Sequence, residues 1–205
     1  VADGMSKGVN FLMKKNKIEI LNGFGKIISK NQVEITDDKN KSQVVESENI
    51  IIATGGRSKE IPNVKIDGKK VIEYRKAMSL DKQPKKLVVI GSGAIGSEFA
   101  YFYNSIGTDV TLIEYLPNIL PLEDIDVSKQ LKKTFIKSGI KIMTNTEVTG
   151  VDTSRKGCKV SFKSNNESSE LDCDVVLSAV GAETNLQNIG LEEVGILSEK
   201  GKINV

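Results

Sequence analysis

The sequence contains no histidine and no tryptophan, and it has only two cysteines among its 205 residues. Histidine is the commonest general acid or base near neutral pH, so catalysis through an imidazole is excluded for this chain, as is a histidine-bound zinc ion. The two cysteines, Cys158 and Cys173, are separated by 14 residues and match neither a CxxC nor a CxxxxC redox pair. We therefore expect two small core residues in a reducing compartment, and no metal site.

Long apolar runs and clusters of one charge are also missing. The longest apolar runs, such as residues 50–53 and 175–177, have the length of β-strands, which argues against a membrane-spanning helix. The net charge is only +2 and the lysines are spread along the chain, which argues against a nucleic-acid surface. We expect no signal peptide. The chain begins with Val1, where helical periodicity is already under way, and this suggests a fragment of a longer protein.

The first third of the chain mixes one helical pattern with short β-like runs. The spacing of apolar residues predicts an amphipathic helix over residues 3–15. Turn residues separate four short runs that predict strands at 18–21, 25–28, 32–35 and 43–45. Three isoleucines and an alanine at 50–53 predict a buried strand that enters a Thr-Gly-Gly turn. Residues 56–70 are rich in glycine, proline, lysine and aspartate, which is typical of a linker.

From residue 87 onward the pattern changes to strands alternating with helices. It predicts strands at 87–90, 109–113, 140–143 and 174–180, helices at 94–105 and 126–137, and an antiparallel meander over 147–172. Strands that alternate with helices are typical of a parallel sheet. The predicted fold class is therefore α/β, with a Rossmann-like parallel sheet and an antiparallel β-meander.

A glycine motif, Gly91-x-Gly93-x-x-Gly96, lies between the predicted strand at 87–90 and the helix that follows it. In this context the first glycine permits a tight turn, the second lets the backbone approach a pyrophosphate, and the third lets the helix pack close to the strand. The N–H groups at the start of the helix then offer an anion site. A glycine turn with only a packing role is the alternative.

An acidic residue follows the next predicted strand. Glu114 stands 18 residues after Gly96, where its carboxylate can accept hydrogen bonds from an adenosine ribose and repel a 2′-phosphate. This favours NAD over NADP. A second acid, Glu98, lies just inside the helix, where on physical grounds alone it simply complements the helix dipole.

Four stretches occur together in a specific order. They are "IIIATGG" at 50–56, "VVIGSGAIGSEFA" at 88–100, "VTLIE" at 110–114 and "DVVLSAVGAETNLQNIGLEEVGI" at 174–196. Together they resemble the flavoprotein pyridine nucleotide-disulfide oxidoreductases, and within that family the dihydrolipoamide dehydrogenase branch. The resemblance implies an NAD-binding domain at 74–183 that is inserted in a partial FAD-binding domain, formed by residues 1–73 and by the start of its return at 184–205.

The resemblance also implies roles for single residues. Glu98 matches a glutamate at the flavin–nicotinamide junction, where it pairs with a lysine from the amino-terminal FAD segment, and it is the one candidate catalytic residue. The implied contacts with FAD are Gly25, Thr54 and Gly55. The implied contacts with NAD are Gly91, Gly93, Ala94, Ile95, Gly96, Glu114, Val148 at the adenine, and Gly181 on the nicotinamide side.

For the full-length protein, the resemblance implies oxidation of dihydrolipoyl groups, with electrons passing through an enzyme disulfide and FAD to NAD. The implied partners are the dihydrolipoyl groups of a 2-oxo acid dehydrogenase or glycine cleavage complex, and a second copy in a homodimer. The cysteine usage is compatible with the bacterial cytoplasm and with the mitochondrial matrix, and we expect one of these locations. The family's amino-terminal FAD glycine motif, its CxxxxC disulfide and its His-Glu base do not occur in these residues, so we expect this chain alone to bind NAD weakly and to turn nothing over.

Two alternatives stay open at this point. Ala182, Glu183 and Thr184 stand where the family commonly has arginine and proline, which weakens the assignment to one branch. A glutathione, mercuric or CoA-disulfide reductase is the competing enzyme, although the acid at position 114 argues against those that use NADP. A non-catalytic nucleotide-binding module is the competing class.

Overall fold

The computed structural model describes residues 2–154, 156–199 and 201–204. Its helices are α1 (Ala2–Lys15), α2 (Tyr74–Ala77), α3 (Ala94–Ser105) and α4 (Ile125–Lys137), followed by a short 3-10 helix at Glu192–Val194. The strands are β1 (Phe24–Ser29), β2 (Gln32–Thr36), β3 (Ser42–Glu46), β4 (Gly56–Ser58), β5 (Val71–Ile72), β6 (Lys86–Ile90), β7 (Asp109–Ile113), β8 (Lys141–Met143), β9 (Thr146–Asp152), β10 (Cys158–Ser164), β11 (Glu167–Cys173), β12 (Val175–Ser178), β13 (Ala182–Thr184), β14 (Ser198–Glu199) and β15 (Lys202–Ile203). Among the described helices, none is long and apolar enough to cross a bilayer.

The chain divides into two compact units. The first consists of Val1–Gly55 and Thr184–Val205, and the second, Gly56–Glu183, is inserted between these two pieces. The predicted α/β class, with a parallel sheet and an antiparallel meander, is confirmed. The assignment of the two units to FAD and NAD stays a prediction.

The first unit is built around an antiparallel sheet in the order β1-β2-β3. Its core is small and centres on three buried side chains, Ile27, Ile189 and Leu191. The N–H of Ile27 donates to the carbonyl of Ile189 at 2.8 Å, and Lys26 pairs with Glu193 at 3.0 Å. Backbone and ion-pair contacts therefore join the two separate pieces of sequence within this unit.

Two strands predicted for the first unit do not form. Residues 18–21 and 50–53 have no strand assignment, and Ile51 is 90% exposed. A buried strand needs neighbours that pair with its N–H and C=O groups. Within the described part of the first unit, no strand pairs with either segment, so their apolar composition alone does not produce a strand.

The second unit has three layers. Its central sheet is parallel, in the order β5-β12-β6-β7-β8. Successive residues of a strand point to opposite faces, so Leu87 and Val89 pack under the helices while Val88 and Ile90 pack under the meander β9-β10-β11. Both faces of β6 are thus buried, which explains its unbroken apolar run.

The segment at 56–70 was expected to be a linker, and this expectation is wrong. It contains β4, and it buries Val64, which is 1% exposed. It leads directly into β5, the edge strand that pairs with β12. The compact unit therefore begins at Gly56, earlier in the chain than the boundary expected at residue 73.

Candidate functional site

An open cavity of about 840 Å³ lies at the carboxyl ends of β6, β7 and β12. Parallel strands end at one edge of the sheet, so the loops that follow them converge there, and ligands of open α/β sheets bind at this edge. The lining is formed by 90–95 after β6, 113–116 after β7, 121–122, 146–149 of β9, 179–181 after β12, and 61–63. All of these residues belong to the second unit.

The three glycines of the motif have different surroundings. Gly91 has φ +94°, and a Cβ on it would lie 2.5 Å from the carbonyl oxygen of Ala179. A Cβ on Gly96 would lie 2.0 Å from the carbonyl oxygen of Gly91, and Gly96 does not line the cavity. A Cβ on Gly93 would meet nothing within 4 Å, and Gly93 does line the cavity. Close packing therefore requires Gly91 and Gly96, whereas Gly93 leaves open space on the cavity wall.

The N–H groups at the amino end of α3 face the glycine loop that precedes the helix. Gly93 is the N-cap residue, and its carbonyl accepts the N–H of Ser97 at 2.9 Å. The first N–H groups of a helix have no carbonyl one turn earlier, and here they belong to Ala94, Ile95 and Gly96. Ala94 and Ile95 are exposed and line the cavity. This arrangement suits a phosphate group.

Glu114 follows β7 and presents a buried carboxylate at the cavity wall, with the residue only 6% exposed. One of its oxygens, Oε2, accepts both the N–H of Ser92 at 2.8 Å and the hydroxyl of Ser92 at 2.6 Å. The other, Oε1, accepts the N–H of Leu116 at 2.9 Å. The sequence analysis missed Ser92. The available signal was a hydroxyl residue between two glycines, beside a strand that ends in an acid.

The charge of the cavity is negative. Two of its described lining residues are the acids Glu114 and Glu147, and no lysine or arginine occurs among them. A phosphate in this cavity would therefore be held by backbone N–H groups and the helix dipole, not by a basic side chain. A second phosphate placed next to Glu114 would find no cation among the described lining residues to balance it.

Val148 and Gly181 also line the cavity, from β9 and from the loop after β12. Gly181 has φ +115°, and a Cβ there would meet nothing within 4 Å. Its carbonyl accepts the N–H of Lys59 at 3.0 Å. The sequence analysis missed Asn63, whose φ is +62° and whose carbonyl accepts the N–H of Val151 at 3.3 Å. Asn63 lines the cavity, but its place there depends on this contact with a distant strand, which no local motif signals.

The remaining candidate residues lie elsewhere. Glu98 is on the exposed side of α3 and does not line the cavity. Gly25 is the second residue of β1, in the first unit. In that same unit the carbonyls of Thr54 and Gly55 accept the side-chain amide and the backbone N–H of Asn185, at 3.1 and 3.0 Å. The roles of these four residues at a flavin stay predictions.

The two cysteines are buried free thiols, as predicted, and they face each other across the β10–β11 pair. The hydrogen bond that Cys173 donates lowers the pKa of Cys158, against the opposing effect of burial. The same hydrogen bond, together with burial, raises the pKa of Cys173. The described lining of the cavity includes neither thiol.

Comparison with known proteins adds the context for this site. A family model described as pyridine nucleotide-disulphide oxidoreductase matches residues 1–205. Dihydrolipoyl dehydrogenase from Zymomonas mobilis subsp. mobilis is 37% identical over 206 residues, which cover 100% of this chain and 44% of that protein. Mitochondrial dihydrolipoyl dehydrogenase from Rattus norvegicus is 39% identical, over 98% of this chain and 40% of that protein.

Among solved structures, LpdA from Mycobacterium tuberculosis matches with a TM-score of 0.88 and 25% identity, over 98% of this chain and 44% of that chain. The HOCl-induced flavoprotein disulfide reductase RclA from Escherichia coli matches with a TM-score of 0.78 and 24% identity, over 96% of this chain and 45% of that chain, which shows the shared fold alone. The chain therefore spans less than half the length of these relatives.

Proposed function

Because the chain belongs to the pyridine nucleotide-disulphide oxidoreductase family, we propose that its second unit binds NAD and that the intact protein is a dihydrolipoyl dehydrogenase. The family implies FAD and a pyridine nucleotide as cofactors. Dihydrolipoyl dehydrogenases are among the relatives that match essentially the whole chain. The membership of the family is shown, whereas the specific reaction and the preference for NAD over NADP are what we propose.

One observation carries the proposal. A buried carboxylate, that of Glu114, stands at the end of β7 on the wall of the same cavity as the glycine loop and the amino end of α3. The N–H groups of α3 suit a pyrophosphate, and the carboxylate suits the hydroxyls of the adjoining ribose. A 2′-phosphate would bring like charges together without a basic residue in the described lining to offset them. The cavity therefore favours NAD.

The residues of this chain bind and orient the nucleotide. Gly93 leaves room for the pyrophosphate, Glu114 accepts the ribose hydroxyl, and Val148 borders the adenine. On the other side of the cavity, Gly181 carries no side chain, so the nicotinamide has room beside it. Bound NAD supplies the hydride acceptor of the reaction, while FAD supplies the carrier between NAD and a redox disulfide.

The disulfide that exchanges with dihydrolipoyl groups is proposed to lie outside these 205 residues. Cys158 and Cys173 are buried in the meander and do not line the cavity, so neither thiol is accessible to a dihydrolipoyl group. The proposed partners are the dihydrolipoyl groups of a 2-oxo acid dehydrogenase or glycine cleavage complex, and a second copy in a homodimer. The relatives include bacterial and mitochondrial proteins, so cytoplasm and mitochondrial matrix are the proposed locations.

The test is an assay of the intact protein, purified with its flavin. Dihydrolipoamide is the electron donor, and NAD⁺ and NADP⁺ are compared as acceptors. We expect reduction of NAD⁺ to be much faster than reduction of NADP⁺. The competing assignments are tested with NADH or NADPH as donor, and with glutathione disulfide, CoA disulfide or Hg²⁺ as acceptor. Faster turnover of any of these than of dihydrolipoamide would overturn the proposed reaction while leaving the family unchanged.

A further inference from the structure

The hydroxyl of Ser92 forms a hydrogen bond with the carboxylate of Glu114, the group proposed to bind the ribose. It donates to Oε2 of Glu114 at 2.6 Å, within the short range of charge-assisted O–H···O⁻ bonds. We propose that Ser92 is a specificity-determining residue, which positions Glu114 so that the site accepts a ribose with a free 2′-hydroxyl and refuses a 2′-phosphate. This inference rests on the proposed binding of NAD in the cavity.

Hydrogen bonds hold both the backbone and the side chain of Ser92 in place. It is fully buried, its N–H donates to the same Oε2 of Glu114 at 2.8 Å, and its carbonyl accepts the N–H of Leu120 at 2.9 Å. That carbonyl also accepts the hydroxyl of Ser97 at 3.0 Å. All polar groups of Ser92 therefore have partners, so its hydroxyl is a fixed donor and not a mobile one.

Glu114 is anchored as firmly. Its N–H donates to the carbonyl of Met143 at 2.7 Å, and its carbonyl accepts the N–H of Thr146 at 3.0 Å. Its side chain then receives three donors, two from Ser92 and one from Leu116. Rotation of the carboxylate away from the cavity would break all three bonds, so the carboxylate cannot make room for a second anion at low cost.

The hydrogen bonds also decide which oxygen remains for a ligand. A carboxylate offers about four lone-pair sites and only accepts hydrogen bonds. Ser92 fills both sites on Oε2 and Leu116 fills one on Oε1, which leaves one site on Oε1. A ribose hydroxyl can donate to that site. A 2′-phosphate carries about −1.5 to −2 charges at neutral pH and brings no such donor.

The experiment compares the binding of ADP-ribose and 2′-phospho-ADP-ribose to the intact protein by titration calorimetry, because neither probe reduces the flavin. In Ser92→Ala the Cβ and the backbone N–H bond remain, and only the hydroxyl is lost. We expect ADP-ribose to bind roughly fivefold more weakly, because the carboxylate keeps two of its three donors and loses only part of its positioning. We expect 2′-phospho-ADP-ribose to bind no more weakly than to the wild type, so that the preference between the two probes falls by about the same factor.

Two further variants separate positioning from general damage. Thr108→Val removes a buried hydroxyl that donates to the carbonyl of Pro84 at 2.8 Å, at the opposite end of β7 from Glu114, and it should leave the preference unchanged. Ser92→Ala added to Glu114→Ala should have no further effect on ADP-ribose binding, because Ser92 acts through that carboxylate. If Ser92→Ala does not fold, Ser92→Cys replaces the hydroxyl by a much weaker donor of similar size.

The outcomes distinguish this inference from the proposed function. If the wild type binds neither probe, the proposed NAD site is wrong and the role of Ser92 with it. If the wild type binds ADP-ribose and Glu114→Ala weakens that binding, the site stands. In that case, the role of Ser92 alone is overturned if Ser92→Ala leaves the preference between the two probes unchanged. It is also overturned if Ser92→Ala weakens ADP-ribose binding equally in the wild type and in Glu114→Ala.

Discussion

A side chain on Gly96 would collide with the carbonyl oxygen of Gly91, which lies 2.0 Å from the position of the missing Cβ. The helix that carries Gly96 and the turn that contains Gly91 are therefore packed backbone to backbone. Gly93, between them, touches nothing at its own Cβ position and faces the cavity. The motif thus combines two positions that close packing reserves for glycine, Gly91 and Gly96, with one whose Cβ position is open, Gly93.

This difference predicts opposite behaviour for two alanine variants. Gly96→Ala forces the backbone of Gly91 to move, and we expect it to lower the free energy of unfolding by about 3 kcal/mol or more. Gly93 has φ −64° and ψ −174°, which alanine adopts without strain. Gly93→Ala should therefore keep its stability within about 0.5 kcal/mol of the wild type, while its methyl group enters the cavity and weakens NAD⁺ binding.

Urea denaturation and titration calorimetry on the two variants measure these effects separately. The assignment of roles would be wrong if Gly93→Ala were as unstable as Gly96→Ala. It would also be wrong if Gly93→Ala bound NAD⁺ as tightly as the wild type, since the backbone of Gly93 would then not lie against the nucleotide.

Glu114 gives the second prediction. Hydrogen bonds to charged groups contribute about 1.5 to 3 kcal/mol, so Glu114→Ala should weaken NAD⁺ binding roughly 10- to 150-fold. Glu114→Gln is the matched control, since its amide oxygen can still accept from Ser92 but carries no charge. We expect the glutamine variant to gain affinity for NADP⁺ relative to NAD⁺. Calorimetric titration that shows unchanged NAD⁺ affinity in both variants would remove Glu114 from the ribose site.

Local patterns predicted much of the fold of the second unit. The apolar run before the glycine motif, the helix at 94–105 and the strand at 109–113 were all recognisable, because each depends on residues that are close in sequence. The segments at 50–53 and 56–70 were interpreted wrongly, because their conformation depends on distant partners. The first contains an isoleucine that is 90% exposed, and the second buries Val64 against the meander.

The candidate site shows the same division. Gly93 and Glu114 were found by their spacing around a strand and a helix. Ser92 was not found, because its importance lies in a hydrogen bond to a residue 22 positions away. Asn63 was not found either, because no sequence motif marks its loop, which lines the cavity and contacts β9. Contacts between residues this far apart in the sequence produce no periodic pattern from which they could be predicted.

The facing thiols give a prediction at alkaline pH. In the folded chain the hydrogen bond to Cys158, together with burial, keeps the pKa of Cys173 above its ordinary value. In the unfolded chain a thiol ionises near pH 8.5, at about its unperturbed pKa. Above that pH the unfolded state therefore holds fewer protons than the folded state, and stability falls as the pH rises.

A thiol that stays protonated in the folded chain lowers the free energy of unfolding by about 1.4 kcal/mol for each pH unit above the pKa that it has in the unfolded chain. We expect the double variant Cys158→Ala/Cys173→Ala, in which neither buried thiol remains, to be less stable than the wild type at pH 8.5 and to lose less of its stability between pH 8.5 and 9.5. Urea denaturation at both pH values measures this, with Tyr103→Phe as a control for the titration of tyrosine. Equal losses in the wild type and the double variant would show that Cys173 ionises normally.

Asp67 gives the last prediction, at acidic pH. Its Oδ1 accepts the N–H groups of Lys69 and Lys70 at 2.8 Å and of Val71 at 3.0 Å, and this closes the turn that leads into β5. Burial alone would raise the pKa of Asp67, but these three bonds and the charge of Lys69 outweigh it and hold the pKa below its ordinary 3.8. The contribution of the carboxylate is therefore complete above about pH 4 and is lost as the pH falls through the lowered value.

Asp67→Asn is the matched variant, because its amide oxygen can accept the same three N–H groups without a charge. Asp67 is exposed, so solvent weakens the effect of the charge, and we expect the variant to be less stable at pH 7 by only about 1 kcal/mol. Between pH 4 and pH 2 the wild type should lose this advantage, since protonated Asp67 resembles asparagine in charge. Urea denaturation at pH 7, 4 and 2.5 measures the difference between the two proteins. A difference that stays constant over this range would mean that the turn depends on the shape of the side chain and not on its charge.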